Sequence, residues 1–266
     1  MRRLAFPIAT LLLAACYPTG EIRASVAEQQ AGIEAETFGD VSFRELAPGV
    51  WQHTSWLDIP FMGPIPSNGL IVVDGESALL IDTAWTDDQT ALILRWVEEV
   101  KGFPVRAALV THAHKDKMGG IAALHAAGVD TWANPLTNEL APAEGFEPAR
   151  NAVAFGADGW ATGAATEVFA PLAIYYPGGG HTRDNITVGV RGRDLAFGGC
   201  LIKGAASTSL GNLADADTAH YAAAARNFGA AFSQATTIVM SHSQPEGREA
   251  IRHTVALAEE LSDAAD

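Results

Sequence analysis

The chain has 266 residues, of which 48% are hydrophobic and 18% charged, a composition typical of a folded globular protein and not of a disordered one. Its formal net charge is −14, which argues against a nucleic-acid partner, because such a partner requires a basic surface. The length suffices for one large domain or for two halves that share a core.

The N-terminal segment resembles the export signal of a bacterial lipoprotein. Arg2 and Arg3 precede an apolar run that ends in the lipobox-like sequence L-A-A-C, whose cysteine is Cys16. We predict that residues 1–15 are removed as a signal peptide, that Cys16 is lipidated, and that the lipid holds the protein on the periplasmic side of the outer membrane. The alternative is an ordinary secretory signal in which the cysteine is coincidental.

Residues 16–40 are polar and weakly patterned, and they are predicted to tether the lipid to a folded domain over residues 41–266. The only other cysteine of the chain is Cys200. If Cys16 carries lipid, Cys200 has no partner for an intramolecular disulfide. In an oxidising compartment such a thiol is either buried and inert or held by a metal.

Strand-like and helix-like patterns follow one another twice along the domain. Strands are predicted at residues 41–46, 50–57, 68–73, 77–82 and 105–110, and again at 167–169, 172–176, 187–190, 194–197 and 236–240. Helices are predicted at residues 87–100, 119–128, 134–143, 216–228 and 246–261, the first with Thr86 as its N-cap. We therefore expect an α/β fold in which two similar β-rich halves pack sheet to sheet with helices outside, a four-layer sandwich.

One apolar segment, residues 58–67, interrupts this series because prolines and glycines punctuate it. The sequence predicts a loop there and not a core strand. Such a loop either tucks into the core or lies as a flap over a ligand.

Residues that commonly bind metals follow the predicted strand 105–110. His112, His114 and Asp116 stand at alternate positions, and alternate side chains of an extended segment lie on one side of it. The carboxyl end of a strand is where α/β proteins commonly place their sites. A surface turn with chance histidines is the alternative, but the chain has only eight histidines.

Three more ligand-type residues, His181, Cys200 and His242, also follow predicted strands. Each alone has an ordinary explanation, such as a capping histidine or a buried thiol. Six such residues at strand ends indicate two metal ions.

The surrounding motifs are more specific than the ligands alone. They read I-D-T-A-W-T-D-D-Q-T at 81–90, T-H-A-H-x-D-K-M-G-G at 111–120, H-T-x-D-N-I-T-V-G at 181–189, F-G-G-C-L-I-K at 197–203, S-L-G-N-L-x-D-A-D-T at 209–218 and I-V-M-S-H-S at 238–243. They resemble the metallo-β-lactamases of the dizinc subclass with a three-histidine site and an Asp-Cys-His site. Other metallo-hydrolases of the wider superfamily usually read H-x-H-x-D-H, whereas Lys117 stands at the last position here, and Cys200 supplies a ligand that they lack.

The resemblance implies a fold, a reaction and a ligand set. It assigns one zinc ion to His112, His114 and His181 and a second to Asp116, Cys200 and His242. It further implies zinc-dependent hydrolysis of the β-lactam amide bond of penicillins, cephalosporins and carbapenems, and hence antibiotic resistance. A zinc-activated water would attack the lactam carbonyl.

The same resemblance gives roles to residues around the metals. Asp116 would orient the nucleophile, Asn212 would hold the lactam carbonyl, Lys203 would pair with the substrate carboxylate, and Asp82 would lie beneath the ligands. Substrate contacts are expected from Trp85 and from three residues of the flap, Ile59, Met62 and Ile65. No obligate protein partner is expected. A zinc hydrolase of the same fold for another ester, lactone or phosphodiester, and a non-catalytic zinc-binding lipoprotein, remain as alternatives.

Overall fold

A computed structural model describes residues 35–263 of the chain. The predicted signal peptide, Cys16 and most of the predicted tether lie outside the described residues. The first strand, β1 (Glu36–Phe38), pairs antiparallel with β2 (Val41–Ala47). Folded structure therefore begins before Val41, the residue at which the sequence predicts that it begins. The sequence does not indicate β1 because this strand is too short and polar to show an alternating pattern.

The first half of the domain forms an eight-stranded sheet whose strands lie in the order in which they follow along the chain. Neighbouring strands are antiparallel from β1 to the fifth strand and parallel from there to the eighth. The remaining strands are β3 (Val50–Ile59), β4 (Gly63–Asp74), β5 (Ser77–Ile81), β6 (Val105–Val110), β7 (Asp130–Ala133) and β8 (Asn151–Ala152).

The second half forms a four-stranded sheet in which only the last pair of strands is parallel. It consists of β11 (Leu172–Tyr175), β12 (Thr187–Val190), β13 (Leu195–Gly199) and β14 (Thr237–Met240). A small hairpin of β9 (Ala154–Phe155) and β10 (Ala161–Thr162) precedes it. The halves thus share a sheet-and-helix plan but differ in the number of strands.

The helices follow the predicted positions closely in the first half. They are α1 (Asp87–Arg95), which continues as a π-helical turn (Trp96–Val100), α2 (Lys115–Met118), α3 (Ile121–Ala126), α4 (Pro135–Leu140), α5 (Ala164–Val168), α6 (Tyr221–Ala231) and α7 (Glu249–Asp263). The side chain of Thr86 accepts a hydrogen bond from Gln89 N, which confirms the predicted N-cap. Among residues 35–263, no helix is long and apolar enough to cross a membrane.

Three layers of buried apolar side chains hold the elements together. The largest lies between the two sheets, with Leu79 and Leu109 of the first sheet in the same cluster as Val188 and Phe197 of the second. A second layer joins the outer face of the first sheet to α1 and α3, and a third joins the second sheet to α6 and α7. The order helix, sheet, sheet, helix is the predicted four-layer α/β sandwich.

The segment 58–67 is strand and turn, not the predicted loop. β3 and β4 continue to pair as a long hairpin up to its tip. Pro64 and Pro66 are tolerated because β4 pairs with β5 only from Leu70 onward, so the other edge of β4 is free at the prolines and no ladder hydrogen bond is lost. Phe61 at the tip is 94% exposed, which rules out a plug in the core.

Three predicted elements of the second half are also corrected. Residues 167–169 lie at the end of α5 and beyond it, not in a strand. The helix predicted at 216–228 begins at Tyr221, because Asp217 instead bonds through its main chain to Gly180. The last helix begins at Glu249, because Glu246 pairs with the end strand β14.

Candidate metal centre

Three histidines meet where the two sheets present their strand ends. His112 and His114 follow β6, and His181 follows β11. Their candidate ligand atoms all lie within 4.8 Å of one another, and their ring centroids are 4.8 to 5.2 Å apart. Three neutral imidazoles around one point are a donor set that suits zinc.

Asp116, Cys200 and His242 form a second cluster. The Sγ atom of Cys200 lies 3.3 Å from Asp116 Oδ2 and 3.4 Å from His242 Nε2, and the latter two atoms are 3.5 Å apart. Zinc bonds of about 2.0–2.3 Å at tetrahedral angles place neighbouring ligand atoms roughly 3.3–3.6 Å apart. The spacing of the three atoms therefore fits ligands of a single zinc ion.

A helical turn separates the two clusters along the chain. The sequence predicts that His112, His114 and Asp116 lie on one extended segment, but Lys115–Met118 forms the short helix α2 with His114 at its N-cap. The turn carries Asp116 away from the candidate ligands His112 and His114 and toward Cys200. The clusters nevertheless adjoin, since the ligand atoms of His112, Asp116 and Cys200 also lie within 4.8 Å of one another.

Hydrogen bonds select the nitrogen that two of the histidines leave for a metal. His242 Nδ1 lies 2.7 Å from the main-chain oxygen of Pro66, and a carbonyl only accepts, so Nδ1 carries the hydrogen and Nε2 is unprotonated when the ring is neutral. His112 Nδ1 lies 3.3 Å from Thr111 Oγ1, while its Nε2 is buried without a hydrogen-bond partner among the described residues. A bound metal would satisfy these nitrogens.

His114 is held by a residue from a distant loop. Its Nε2 atom lies 3.1 Å from Asp215 Oδ2, and a carboxylate accepts, so Nδ1 is left for a metal. The fully buried ring of His181 has a pKa well below its usual value, first because of burial and then because of Lys203. A low pKa keeps this imidazole neutral, as metal binding requires.

A bulge aims the thiol of Cys200 into the centre. The pairing of β13 with β14 shifts register between Phe197 and Gly199. Gly199 has a φ of +57°, a left-handed conformation that glycine adopts without strain. Cys200 follows this kink and is buried.

Lys117 is a fully buried cation beneath the second cluster. Its Nζ atom lies 3.2 Å from Asp116 Oδ2 and 3.7 Å from Asp82 Oδ2, and it donates to Ser67 Oγ and to the main-chain oxygen of Asn68. Burial by itself would raise the pKa of Asp116, but Lys117 and the neighbouring imidazoles hold this pKa well below its usual value. Asp116 is therefore an anion.

Asp82 supports the candidate ligand His112 through Thr111. Its carboxylate accepts hydrogen bonds from Thr111 N at 2.8 Å and Thr111 Oγ1 at 3.0 Å, and Thr111 in turn contacts His112. Burial raises the pKa of Asp82 to about 7 despite the nearby charge of Lys117. Its φ is +63°, which is rare outside glycine and marks a backbone held in place by its surroundings.

Three of the residues predicted to contact substrate differ in how deeply they are buried. Lys203 is half-buried, and burial lowers its pKa. Asn212 is exposed, and its side-chain oxygen accepts from Ala214 N at 3.1 Å, which leaves the amide nitrogen as the group to donate to a ligand. Trp85 is largely buried, with its ring centroid 6.5 Å from that of His242.

The flap residues lie on the β3–β4 hairpin. Ile59 and Ile65 are half-buried near its tip, and Met62 is 50% exposed. The hairpin thus presents apolar side chains beyond the sheet, and β4 runs from them directly to Pro66 and Ser67, which contact the segments that carry His242 and Asp116.

The profile of the metallo-beta-lactamase superfamily matches residues 62–242, a range that contains all six ligand-type residues. A metallo-beta-lactamase type 2 from Bacteroides fragilis is 33% identical over 219 residues, which are 81% of this chain and 84% of that protein. The chain belongs to the metallo-β-lactamase superfamily.

Solved structures of metallo-β-lactamases share the fold of this chain. One from Erythrobacter litoralis is 63% identical with a TM-score of 0.85, and the match covers 86% of this chain and 100% of that one. FIM-1 from Pseudomonas aeruginosa, solved in a mono-zinc form, is 45% identical with a TM-score of 0.80, and the match covers 84% and 96% of the two chains. The zinc in that enzyme is consistent with the donor set of this metallo-β-lactamase.

Several residues that build this metallo-β-lactamase centre go beyond the sequence-based predictions. Asp184 accepts from Ala113 N at 2.9 Å and from Thr137 Oγ1 at 2.7 Å, and it thereby holds the main chain between His112 and His114. Asp184 and Asp215 both lie within the quoted motifs, so their motif membership is a signal for them. Ser67 lies outside the quoted motifs, and the motif at 111–120 contains Lys117 without indicating that its side chain is buried against Asp116 and Asp82.

Proposed function

We propose that this chain is a zinc-dependent β-lactamase that hydrolyses the amide bond of the β-lactam ring and so confers antibiotic resistance. The observation that carries the proposal is the triangle of Asp116, Cys200 and His242 at zinc spacing beside the three-histidine cluster. The names of the relatives, all metallo-β-lactamases, support the same reaction. We further propose two zinc ions, one for each cluster.

Zinc held by these clusters would supply a water with a pKa lowered to about 7 and positive charge that stabilises a developing oxyanion. Asp116 contributes a carboxylate that Lys117 keeps ionised, so it can accept a hydrogen bond from the attacking water and orient it. Asp82 and Thr111 keep His112 in place during the reaction.

The proposed substrate contacts are of two kinds, polar and apolar. Lys203 pairs with the carboxylate that penicillins, cephalosporins and carbapenems share, and Asn212 donates its amide hydrogens to the lactam carbonyl as negative charge develops there. Trp85 and the hairpin residues Ile59, Met62 and Ile65 cover the apolar parts of the substrate.

The decisive experiment follows the absorbance of a carbapenem, a penicillin and a cephalosporin with the purified protein. We expect hydrolysis of all three, loss of activity in excess EDTA, recovery with added zinc, and no block by inhibitors that acylate a catalytic serine. Turnover that persists in excess EDTA would exclude the proposed mechanism. Hydrolysis of a lactone, thioester or phosphodiester without hydrolysis of any β-lactam would favour the rival function of the same fold.

Two finer proposals concern relatives and location. We propose a similarity of the motifs to those of the New Delhi metallo-β-lactamase, from which Lys115 and Gly204 depart. The sequence L-A-A-C supports lipidation of Cys16 and an outer-membrane anchor on the periplasmic side. Growth of cells with labelled palmitate tests the anchor, since the unmodified protein should incorporate the label and its Cys16→Ala variant should not. Absence of label from the unmodified protein would contradict it.

A further inference from the structure

A recess of about 260 Å³ lies beside the three-histidine cluster. Its polar lining consists of His114, Glu144, Thr182, Arg183, Asp184 and Asp215. His114 belongs to both the cluster and the recess, so a molecule bound at the metal centre can reach this space.

Its lining is acidic. Glu144, Asp184 and Asp215 provide three carboxylates, and Arg183 provides the one guanidinium among the lining residues. Glu144 and Arg183 are exposed, and no ion pair joins them within the described part of the chain. Asp215 also contacts His114, which would carry the positive charge of a bound zinc ion toward the recess. The three carboxylates still outnumber the one guanidinium, so the side chains of the recess carry a net negative charge that attracts a cation.

Two buried polar atoms of the lining residues lack partners. Asp184 is 1% exposed, and its Oδ1 atom has no hydrogen-bond partner in residues 35–263, although Oδ2 accepts two hydrogen bonds. Thr182 is 2% exposed, and its Oγ1 atom is likewise unpartnered there. Buried polar atoms are normally paired, so these two indicate a site for a hydrogen-bond donor.

Lys203 lies outside the recess. It acts electrostatically on Cys200 and Asp116 of the second cluster and on His181 of the first, and it is not among the residues that line the recess. The recess borders the first cluster through His114. A substrate that pairs with Lys203 can therefore place a different group in the acidic recess.

We propose that the recess binds a cationic group, an ammonium or an amidinium, carried by a substituent of the β-lactam. This inference rests on the proposed β-lactamase function. Glu144 is its specificity-determining residue, because its carboxylate is exposed and forms no ion pair among the described residues. Asp184 and Asp215 also hold the ligand segments, so their replacement would not separate specificity from the integrity of the site.

The test compares two cephalosporins that differ in one substituent, which is a primary ammonium or an amidinium in one and a neutral group in the other. We expect Glu144→Gln to lower the ratio of kcat/KM for the cationic over the neutral compound about fivefold, and Glu144→Lys to lower it further. Added salt should shrink the ratio of the unmodified protein, because the contact is partly exposed. The control is Glu139→Gln, which removes an exposed carboxylate on α4 outside the recess and should leave the ratio unchanged.

A ratio that is the same in the unmodified protein and both Glu144 variants would overturn the inference and leave the β-lactamase function standing. If neither compound is hydrolysed by the zinc-loaded protein, the proposed function fails, and binding of benzamidinium decides the inference by itself. Calorimetry should then show binding to the unmodified protein that Glu144→Gln weakens about fivefold and Glu139→Gln does not. Equal binding by all three proteins would overturn it.

Discussion

The Nδ1 atom of His242 donates a hydrogen bond to the main-chain oxygen of Pro66 across 2.7 Å. Two residues further along β4, Asn68 N donates to Ser241 O at 2.8 Å. Residues two apart in a strand turn their main-chain groups to the same edge, so the edge of β4 that is free of β5 docks on the segment that carries His242. The exposed hairpin and the second metal cluster therefore share one strand as their support.

Ser67 should tune the affinity of the second metal site. Its Oγ atom donates to the main-chain oxygen of Asp116 at 2.8 Å and accepts from Lys117 Nζ at 2.9 Å. Because groups that hold metal ligands commonly contribute 10- to 100-fold to affinity, we expect Ser67→Ala to weaken the second zinc about 10-fold or more. Competition with a chromophoric chelator measures both constants. Ser77→Ala, at the start of β5, should change neither, and an unaltered second constant in Ser67→Ala would contradict the role.

Lys117 should be needed for stability as well as for the charge of Asp116. Its removal leaves two buried carboxylates, those of Asp116 and Asp82, without the cation between them. We expect Lys117→Met to lower the free energy of unfolding of the zinc-free protein by about 3–5 kcal/mol, as measured by urea denaturation. Lys115→Ala removes an exposed lysine two positions away and should cost less than about 0.5 kcal/mol. Similar losses in both variants would show that the buried contacts are not the cause.

Replacement of Cys200 should affect the second cluster and leave the three-histidine cluster intact. We expect Cys200→Ser to lower the zinc content from two ions per chain to one, because serine is a far poorer zinc ligand than a thiolate while the three histidines are untouched. In the cobalt-substituted protein, the sulfur-to-metal charge-transfer absorption should disappear as well. His220→Ala, which alters an exposed histidine outside both clusters, should keep both signals. Two tightly bound ions in Cys200→Ser would refute the assignment.

Lys203 should act on substrate binding more than on the chemical step. Hydrogen bonds to charged groups contribute about 1.5–3 kcal/mol, so we expect Lys203→Ala to raise KM about 10- to 100-fold with a smaller change in kcat. Lys203→Arg keeps the charge and should recover part of the loss. A matched control is Lys101→Ala, which breaks a contact with Glu36 far along the chain. A fall in kcat at constant KM would instead place Lys203 in the chemical step.

Much of the fold follows from local patterns in the sequence. The apolar runs of β6, β12 and β14 and the cap at Thr86 depend on residues adjacent in the chain, and their predicted positions agree with the structure. The prediction of a loop at residues 58–67 is wrong, because the structure of this segment depends on a tertiary feature: one edge of β4 has no neighbouring strand there. A proline excludes a strand from the middle of a sheet, but not from an edge.

The candidate site likewise has features that local sequence indicates and features that only the tertiary structure shows. The types and spacing of the six ligand residues stand in the sequence, because each lies in a short motif at the end of a strand. Only the tertiary structure shows that Asp215 reaches His114 from 101 residues away and that Pro66 reaches His242 across 176. Such contacts depend on how two sheets pack and in what register, and no local pattern encodes that. The sequence by itself determined which residues could bind a metal, and the packing of the sheets decided which nitrogen of His114 and of His242 is left for it.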